Sequence, residues 1–262
     1  MSYIFNFNDA ISYEEWFNNP RNLFIKKLES ELLFSMLKPL RGKQILDIGC
    51  GTGRNLMQFI DRGLYTTGID PSPYMLDVAY KNVGNHADLH RGVAEHLPFD
   101  DNAFDYSCII TTLEFVENPE KALREAFRVT KEMVFIGALN RYSLKGFQRR
   151  IKGVFTKTVY NRAQFFSVWE LKYMVKNILG NVPVSWGTVG HFSSGSGKII
   201  STIEQLKFMR KCPFGAFAGL SVILVPRFRT KPIAITCKAR QKTGNAIPEM
   251  QYRSIHNTSQ PL

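Results

Sequence analysis

Two periods of apolar spacing alternate along this chain. Segments at 43–48, 65–70, 87–92, 104–110 and 132–138 are six or seven residues long and are bounded by turn residues. Runs of that length read as strands. Between them lie patterns of helical spacing, one over 54–61 with Leu56, Phe59 and Ile60 on one face, another over 119–130. Strands alternating with helices predict a parallel sheet with right-handed crossovers. Ahead of the first strand, Trp16, Phe17, Leu23, Phe24, Leu28, Leu32, Leu33 and Met36 predict one helix over 13–38. Downstream, Val168, Leu171, Met174, Val175 and Ile178 predict a helix over 167–180 that ends at Gly180. Val182–Val189 and Pro232–Ala239 are expected as the last two strands. The stretch 190–230 is longer than a hairpin between them requires, which marks it as a functional insertion. It divides into a Gly- and Ser-rich loop at 190–197, a helical pattern over 198–211 and a small, apolar run over 213–226. That last run fits a second hydrophobic element packed on the sheet equally well.

One junction between strand and helix carries chemistry. Ile45-Leu46-Asp47-Ile48 runs directly into Gly49-Cys50-Gly51-Thr52-Gly53, and a helix follows from Arg54. Glycines let a backbone turn tightly and approach a ligand closely. The helix then points its unbonded N–H groups into the same crevice. This is a nucleotide-type site at the carboxyl end of a first parallel strand. A tight connection without a ligand would use the same residues. The spacing separates ligand classes. The glycines fall as G-x-G-x-G, whereas the dinucleotide fingerprint is G-x-G-x-x-G and wants glycine where Arg54 stands. The Gly-Lys-Ser/Thr of a P-loop is absent. Asp70 closes the second strand 17 residues past Gly53, where a carboxylate can accept both ribose hydroxyls of an adenosine.

Four ordered motifs now stand in line: LDIGCGTG at 46–53, GIDPSPYML at 68–76, AEHLPFDDNAFD at 94–105 and LEFVENPEKALREAFRV at 113–129. Together they resemble the class I S-adenosylmethionine-dependent methyltransferases, in particular the branch that includes the ubiquinone/menaquinone biosynthesis C-methyltransferases. The resemblance covers about residues 13–140. It implies a Rossmann-like, seven-stranded, mostly parallel sheet in the order 3-2-1-4-5-7-6 with an antiparallel seventh strand. It also implies S-adenosylmethionine as cofactor and assigns residues to it. Gly49, Gly51 and Gly53, with Cys50 between them, would pack on the methionine and ribose. Asp47 would lie beneath the methionine amino group. Asp70 would bind the ribose hydroxyls, and Pro71 and Ser72 would flank the adenine. Ala94 and Glu95 would meet the adenine edge, and Thr111 would complete the set after the fourth strand. Relatives often carry Gly-Asp-Ala-Glu where this chain has Gly92-Val93-Ala94-Glu95, so Val93 cannot accept a bond from the adenine amino group.

The chain's 262 residues are expected to form one methyltransferase domain over 1–240, with a cap at 1–40, a lid and acceptor insertion at 190–230, and a flexible tail at 241–262. No apolar run of transmembrane length and no secretory leader is read. Four scattered cysteines (Cys50, Cys108, Cys212, Cys237) fit a reducing compartment, so the expected location is the cytoplasm. Charge is divided unevenly. Residues 1–140 hold 14 Lys and Arg against 19 Asp and Glu, net −5; residues 141–262 hold 20 against 3, net +17. The second half therefore faces something anionic, whether nucleic acid, a membrane surface or an acidic small molecule, or is simply a basic, soluble surface.

The acceptor is not written in any one motif. After the fourth strand the chain reads Thr111-Thr112-Leu113-Glu114-Phe115. Neither the Asn/Asp-Pro-Pro-Tyr/Phe of exocyclic-amine methylation nor the Pro-Cys of cytosine C5 methylation is there, which weighs against those nucleic-acid classes. His191 and Tyr13 are the candidate catalytic residues. His86, His90 and His96 lie beside a strand and read as a solvated surface, so no metal site is expected. Basic residues of Lys145 to Lys152 interleave with Phe147 and Ile151 and could touch phosphates or an anionic membrane. The favoured acceptor is a small, partly apolar molecule; RNA or protein is the alternative, and a cofactor-binding protein without catalysis is the third reading.

Overall fold

The computed structural model describes residues 3–143, 163–192 and 207–224. Its centre is a seven-stranded sheet. β1 (Gln44–Ile48), β2 (Tyr65–Asp70), β3 (Ala87–Arg91), β4 (Phe104–Ile110), β5 (Thr130–Leu139), β6 (Val184–Val189) and β7 (Phe217–Ile223) lie in the order 3-2-1-4-5-7-6. Pairings from β3 through β5 are parallel, and β7 runs antiparallel to both β5 and β6. Alternate residues of each strand face opposite layers. Ile45, Cys108, Phe135 and Phe217 enter one core with α2 (Leu23–Leu37) and α3 (Arg54–Ile60). Leu46, Ile48, Ile109 and Leu220 enter the other with α5 (Pro119–Arg128) and α6 (Val168–Leu179). Helices on both faces bury the central strands on both sides, while the edge strand β3 stays largely exposed.

Local chemistry starts each helix. Ser72 caps α4 (Pro73–Val83) and Asn118 caps α5, each with proline in the first turn, where a missing N–H costs nothing. Ser167 and Glu170 form a capping box on α6. The same device starts a helix whose first turns the apolar spacing misses. Asn6 Oδ1 accepts from the Asp9 N–H at 3.1 Å and Asp9 Oδ2 accepts from the Asn6 N–H at 2.9 Å, opening α1 (Phe7–Asn18). The single helix expected over 13–38 is thus two, α1 and α2. The break falls at Asn19-Pro20, because the residue before proline is pushed out of helical geometry.

The end of the sheet corrects a second expectation. The seventh strand is Phe217–Ile223, inside the stretch read as insertion, and not Pro232–Ala239, which lies outside the described residues. The run Phe-Ala-Gly-Leu-Ser-Val-Ile has no alternation because β5 and β6 bond it on both edges and helices cover both faces. Of the helical pattern over 198–211, a short turn of helix at Lys207–Arg210 is seen; 198–206, like Lys145–Lys152 and the tail at 241–262, lies outside the described residues. Expected helices and strands elsewhere agree within two residues with those observed.

α2 is the cap's anchor on the sheet. Gly187 of β6 pairs with Gly219 of β7, and together they leave a hole for the Leu32 side chain. A Cβ at Gly219 would stand 2.9 Å from Leu32 Cδ2, and one at Gly187 3.1 Å from Leu32 Cδ1. Leu32→Ala is expected to cost about 2–5 kcal/mol of unfolding free energy. Gly219→Ala should cost about 1–3 kcal/mol through overpacking. Leu40→Ala, at a residue 62% exposed, should cost little. Urea denaturation of the three variants checks the ranking.

Candidate active site

A cavity of about 1020 Å³ lies between the carboxyl ends of β1, β2 and β4 and the cap formed by residues 3–37. Its floor is the turn after β1. Gly49, Gly51 and Gly53 all have positive φ, at 75°, 52° and 77°. Each glycine is needed for a different reason. A Cβ on Gly49 would lie 2.3 Å from Thr112 Oγ1, so the loop after β4 closes directly over it. A Cβ on Gly53 would press on Ala79 of α4 at 3.2 Å. A Cβ on Gly51 would meet nothing within 4 Å, because Gly51 faces the open cavity.

Asp70 fixes this floor. Its Oδ2 accepts from the Gly51 N–H at 2.9 Å and its Oδ1 from the Ser72 N–H at 2.9 Å. The Ile69 carbonyl accepts from Gly49 and Cys50 beside it. Burial raises the Asp70 carboxyl above its ordinary range, and the two amides hold back part of that rise. Asp47 lies deeper, 1% exposed, and neither of its oxygens has a hydrogen-bond partner among the described residues. Burial pushes its carboxyl up to about 7; the Asn55 amide holds part of that rise back, and the Asp70 charge adds to it. Thr111, at the end of β4, holds a positive φ of 51° at the cavity wall, a strained conformation for a β-branched residue.

Most of the residues singled out in the sequence come together here. Tyr13, Cys50, Pro71, Ala94, Glu95 and Thr111 line the cavity with Gly49, Gly51 and Asp70. Asp47 and Gly53 lie behind that lining. Ser72 has other work: it is fully buried, its hydroxyl donates to the Phe5 carbonyl at 2.7 Å, and its Oγ caps α4. The Glu95 carboxylate accepts from the Glu117 and Asn118 N–H groups at 2.8 and 3.3 Å. His191 does not line the cavity; its ring bonds to Thr188 Oγ1 at 3.1 Å and the Cys212 carbonyl at 3.2 Å. Among the described residues, no three side chains of His, Cys, Asp or Glu cluster as metal ligands would.

Within the expected cap, the residues that close the cavity carry no apolar periodicity of their own. Tyr3 donates its N–H to the Phe115 carbonyl at 2.9 Å and its hydroxyl to Asp9 at 2.6 Å. Phe5 packs edge-on against Phe115, ring centroids 5.0 Å apart. Residues 3–5 therefore span the cavity from the loop after β4 to Ser72 in the loop after β2. Arg54, at the start of α3, pairs with Glu14 of α1 and lies over the Phe17 ring, which Lys26 also covers from 3.9 Å. Burial, and then the Arg54 charge, lower the Lys26 amine below its ordinary value. The capping box at Asn6 was the one available signal for this arrangement. Where the cap meets β5 and β7, Ile25, Leu139, Ala216 and Phe217 line the wall with carbon alone. Phe214, by contrast, is 56% exposed and stands outside the cavity.

Asp47 sets a pH dependence. The folded state holds its proton to about 7, while the unfolded chain releases it near 3.8. The folded protein therefore binds more protons between those values, and stability falls as pH rises through that window. Asp47→Asn should flatten the slope and leave the ligand-free protein more stable than wild type at pH about 8, by on the order of a few kcal/mol. Urea unfolding at both ends of the window measures it.

Residues 46–136 match the family model described as a methyltransferase domain. An uncharacterized protein of Methanocaldococcus jannaschii is 37% identical over 171 residues, which cover 64% of this chain and 77% of the relative. A ubiquinone/menaquinone biosynthesis C-methyltransferase of Roseobacter denitrificans is 32% identical over 132 residues, 48% of this chain and 53% of that protein. This chain thus spans about three quarters of the first relative and about half of the second. In architecture it is similar to the crystal structure of an S-adenosylmethionine-dependent methyltransferase of Thermotoga maritima, with a TM-score of 0.64, 24% identity and coverage of 83% of this chain and 97% of the other. With the sheet order, the glycine turn and these likenesses in agreement, the chain belongs to the class I S-adenosylmethionine-dependent methyltransferases.

Proposed function

We propose that this protein transfers a methyl group from S-adenosylmethionine to a small, partly apolar acceptor held under the cap. The observation that carries this reading is the cavity itself: an open floor at Gly51 joined to a carbon-lined wall at Ile25, Leu139 and Phe217. At about 1020 Å³ it lies at the upper end of single-ligand pockets, which fits a donor and an acceptor side by side. The residues present fit the donor. Gly51 offers a surface without a side chain, and Asp70 keeps acceptor lone pairs beyond its two amide bonds. The unpartnered carboxylate of Asp47 sits behind the turn, where a cationic amino group would satisfy it directly or through water. Pro71, Val93 and Ala94 give the adenine an apolar bed, and Val93 removes the side-chain acceptor that relatives often place there.

When bound, S-adenosylmethionine supplies a methyl group already activated on a sulfonium. The chain's own residues have to align and desolvate. Tyr3, Phe5 and Phe115 close the cavity from the N-terminal side and exclude water. Tyr13, Trp16 and Phe17 form the cap wall above the donor and acceptor space. Holding two reactants in line is the main source of rate in such a reaction. No histidine lines the cavity among the described residues, and His191 is engaged elsewhere. Tyr13 is the remaining candidate for contact with the acceptor.

The similarity to a quinone-pathway C-methyltransferase supports a small-molecule acceptor with apolar parts. The basic second half supports the competing reading, a nucleic-acid or protein acceptor. Cysteines 50, 108 and 212 are free, which fits the cytoplasm as the place of action. Among the described residues no helix is long and apolar enough to cross a membrane.

Gly51→Ala should fold at a cost of about 1–2 kcal/mol for its left-handed backbone, yet bind S-adenosylhomocysteine at least about tenfold more weakly. Asp70→Ala should lose about 1.5–3 kcal/mol of binding. Titration calorimetry gives both values, and wild-type affinity in both variants would place the donor elsewhere. Incubation of the protein with extracts and a labelled methyl donor should mark an organic-extractable small molecule, and label confined to RNA or protein would refute the acceptor class.

A further inference from the structure

The outer face of α6 carries chemistry that the cavity does not use. Trp169 is 54% exposed and Tyr173 66%, and Tyr142, at 53%, packs edge-on against Trp169 with ring centroids 6.0 Å apart. Trp169 and Tyr173 are four residues apart and share a helix face, with the exposed Lys172 and Lys176 beside them. The helix buries a different stripe, Val168, Leu171 and Val175, in the core, so folding does not require the aromatic one. Its one acid, Glu170, is engaged by Arg141 and by the Ser167 cap. Three large aromatic rings beside exposed lysines make a surface that water covers poorly.

The position of this face adds a second observation. The described residues stop at Ser143, next to Tyr142, and resume at Ala163, six residues before Trp169. The 19 residues between them hold six Lys and Arg and no Asp or Glu. This cationic run is contiguous in sequence with Tyr142 on one side and with the residues leading to Trp169 on the other. The same spot lies on the sheet edge that bears the cavity. The Phe166 N–H donates to the Leu139 carbonyl at 3.3 Å, and the Gln164 N–H to the Glu114 carbonyl at 2.8 Å, next to Phe115 of the cavity wall.

We propose that the Trp169–Tyr173 face of α6 docks the protein on an anionic lipid surface. Tyr142, Trp169 and Tyr173 enter the headgroup region, where rings with a polar edge are favoured. Lys172 and Lys176 bury their stems and pair with lipid phosphates. A nucleic acid would use the same lysines. It is disfavoured because the rings stand on a convex helix and not in a groove that tracks a phosphate backbone. The inference rests on this face alone and not on the acceptor.

The full chain is tested with vesicles of phosphatidylcholine alone and of phosphatidylcholine with phosphatidylserine. Sedimentation should show binding to the mixed vesicles only, weakening with salt. Tryptophan emission should shift to the blue, and brominated phosphatidylserine should quench it. Trp169→Phe should abolish both optical signals although Trp16 and Trp186 remain. Lys172→Glu with Lys176→Glu should lower partitioning at least about tenfold. These variants should keep wild-type affinity for S-adenosylhomocysteine, which certifies their fold independently of any acceptor. Absence of binding by the wild-type chain would overturn the proposal. So would binding that survives the α6 changes and disappears only with Arg149→Ala, Arg150→Ala and Lys152→Ala. RNA that binds the α6 face more tightly than the vesicles do would overturn it as well.

Discussion

The two hydrogen bonds from the Gly51 and Ser72 amides to the Asp70 carboxylate hold the active edge of this protein together. They tie the turn after β1 to the turn after β2, two backbone segments that would otherwise have unsatisfied donors at the start of a helix. Everything at the cavity floor follows from that tie. Gly51 is held at a positive φ with no side chain above it, Ser72 is placed to cap α4, and Pro71 is delivered to the cavity wall. A carboxylate that accepts backbone bonds on both oxygens is a positioned group, and a positioned acceptor can recognise a ligand at lower entropic cost.

The cap is tied down from three sides. Leu32 enters the hole that Gly187 and Gly219 leave in the sheet, Arg54 of α3 reaches Glu14 of α1, and the first residues bond to the loops after β2 and β4. The first contact is dry packing and is costly to break. The others are polar contacts at the rim, each worth little. A cap anchored by α2 and latched by residues 3–6 can open at the latch while the anchor stays, which is the division of labour that a site closing over its reactants needs.

Asp47 shows the opposite economy. A carboxylate buried without a donor weakens the ligand-free fold at neutral pH. Its place beneath the glycine turn makes sense for a site whose cationic ligand supplies the missing partner. Thr111, strained at a positive φ on the wall, is a second local cost concentrated at the same edge.

By itself the sequence determined the first six strands, the sheet order through the family resemblance, and the glycine turn with Asp70, because these depend on short-range periodicity and on residues adjacent in the chain. Gly49, Gly51 and Gly53 each fit a backbone that no other residue adopts cheaply. What failed were assignments that depend on partners distant in sequence. Phe217–Ile223 read as insertion because a strand bonded on both edges and covered on both faces has no alternation. His191 is a catalytic candidate from its place at the mouth of the stretch 190–230, and the fold adds that its ring bonds to Thr188 and to the Cys212 carbonyl. Beyond the capping box at Asn6, nothing local marks the bridge made by Tyr3 and Phe5, since the loops they reach, at Ser72 and Phe115, lie about 70 and 110 residues away. Local pattern records what a residue's neighbours in the chain permit, and the tertiary structure alone decides which distant surfaces close over the site.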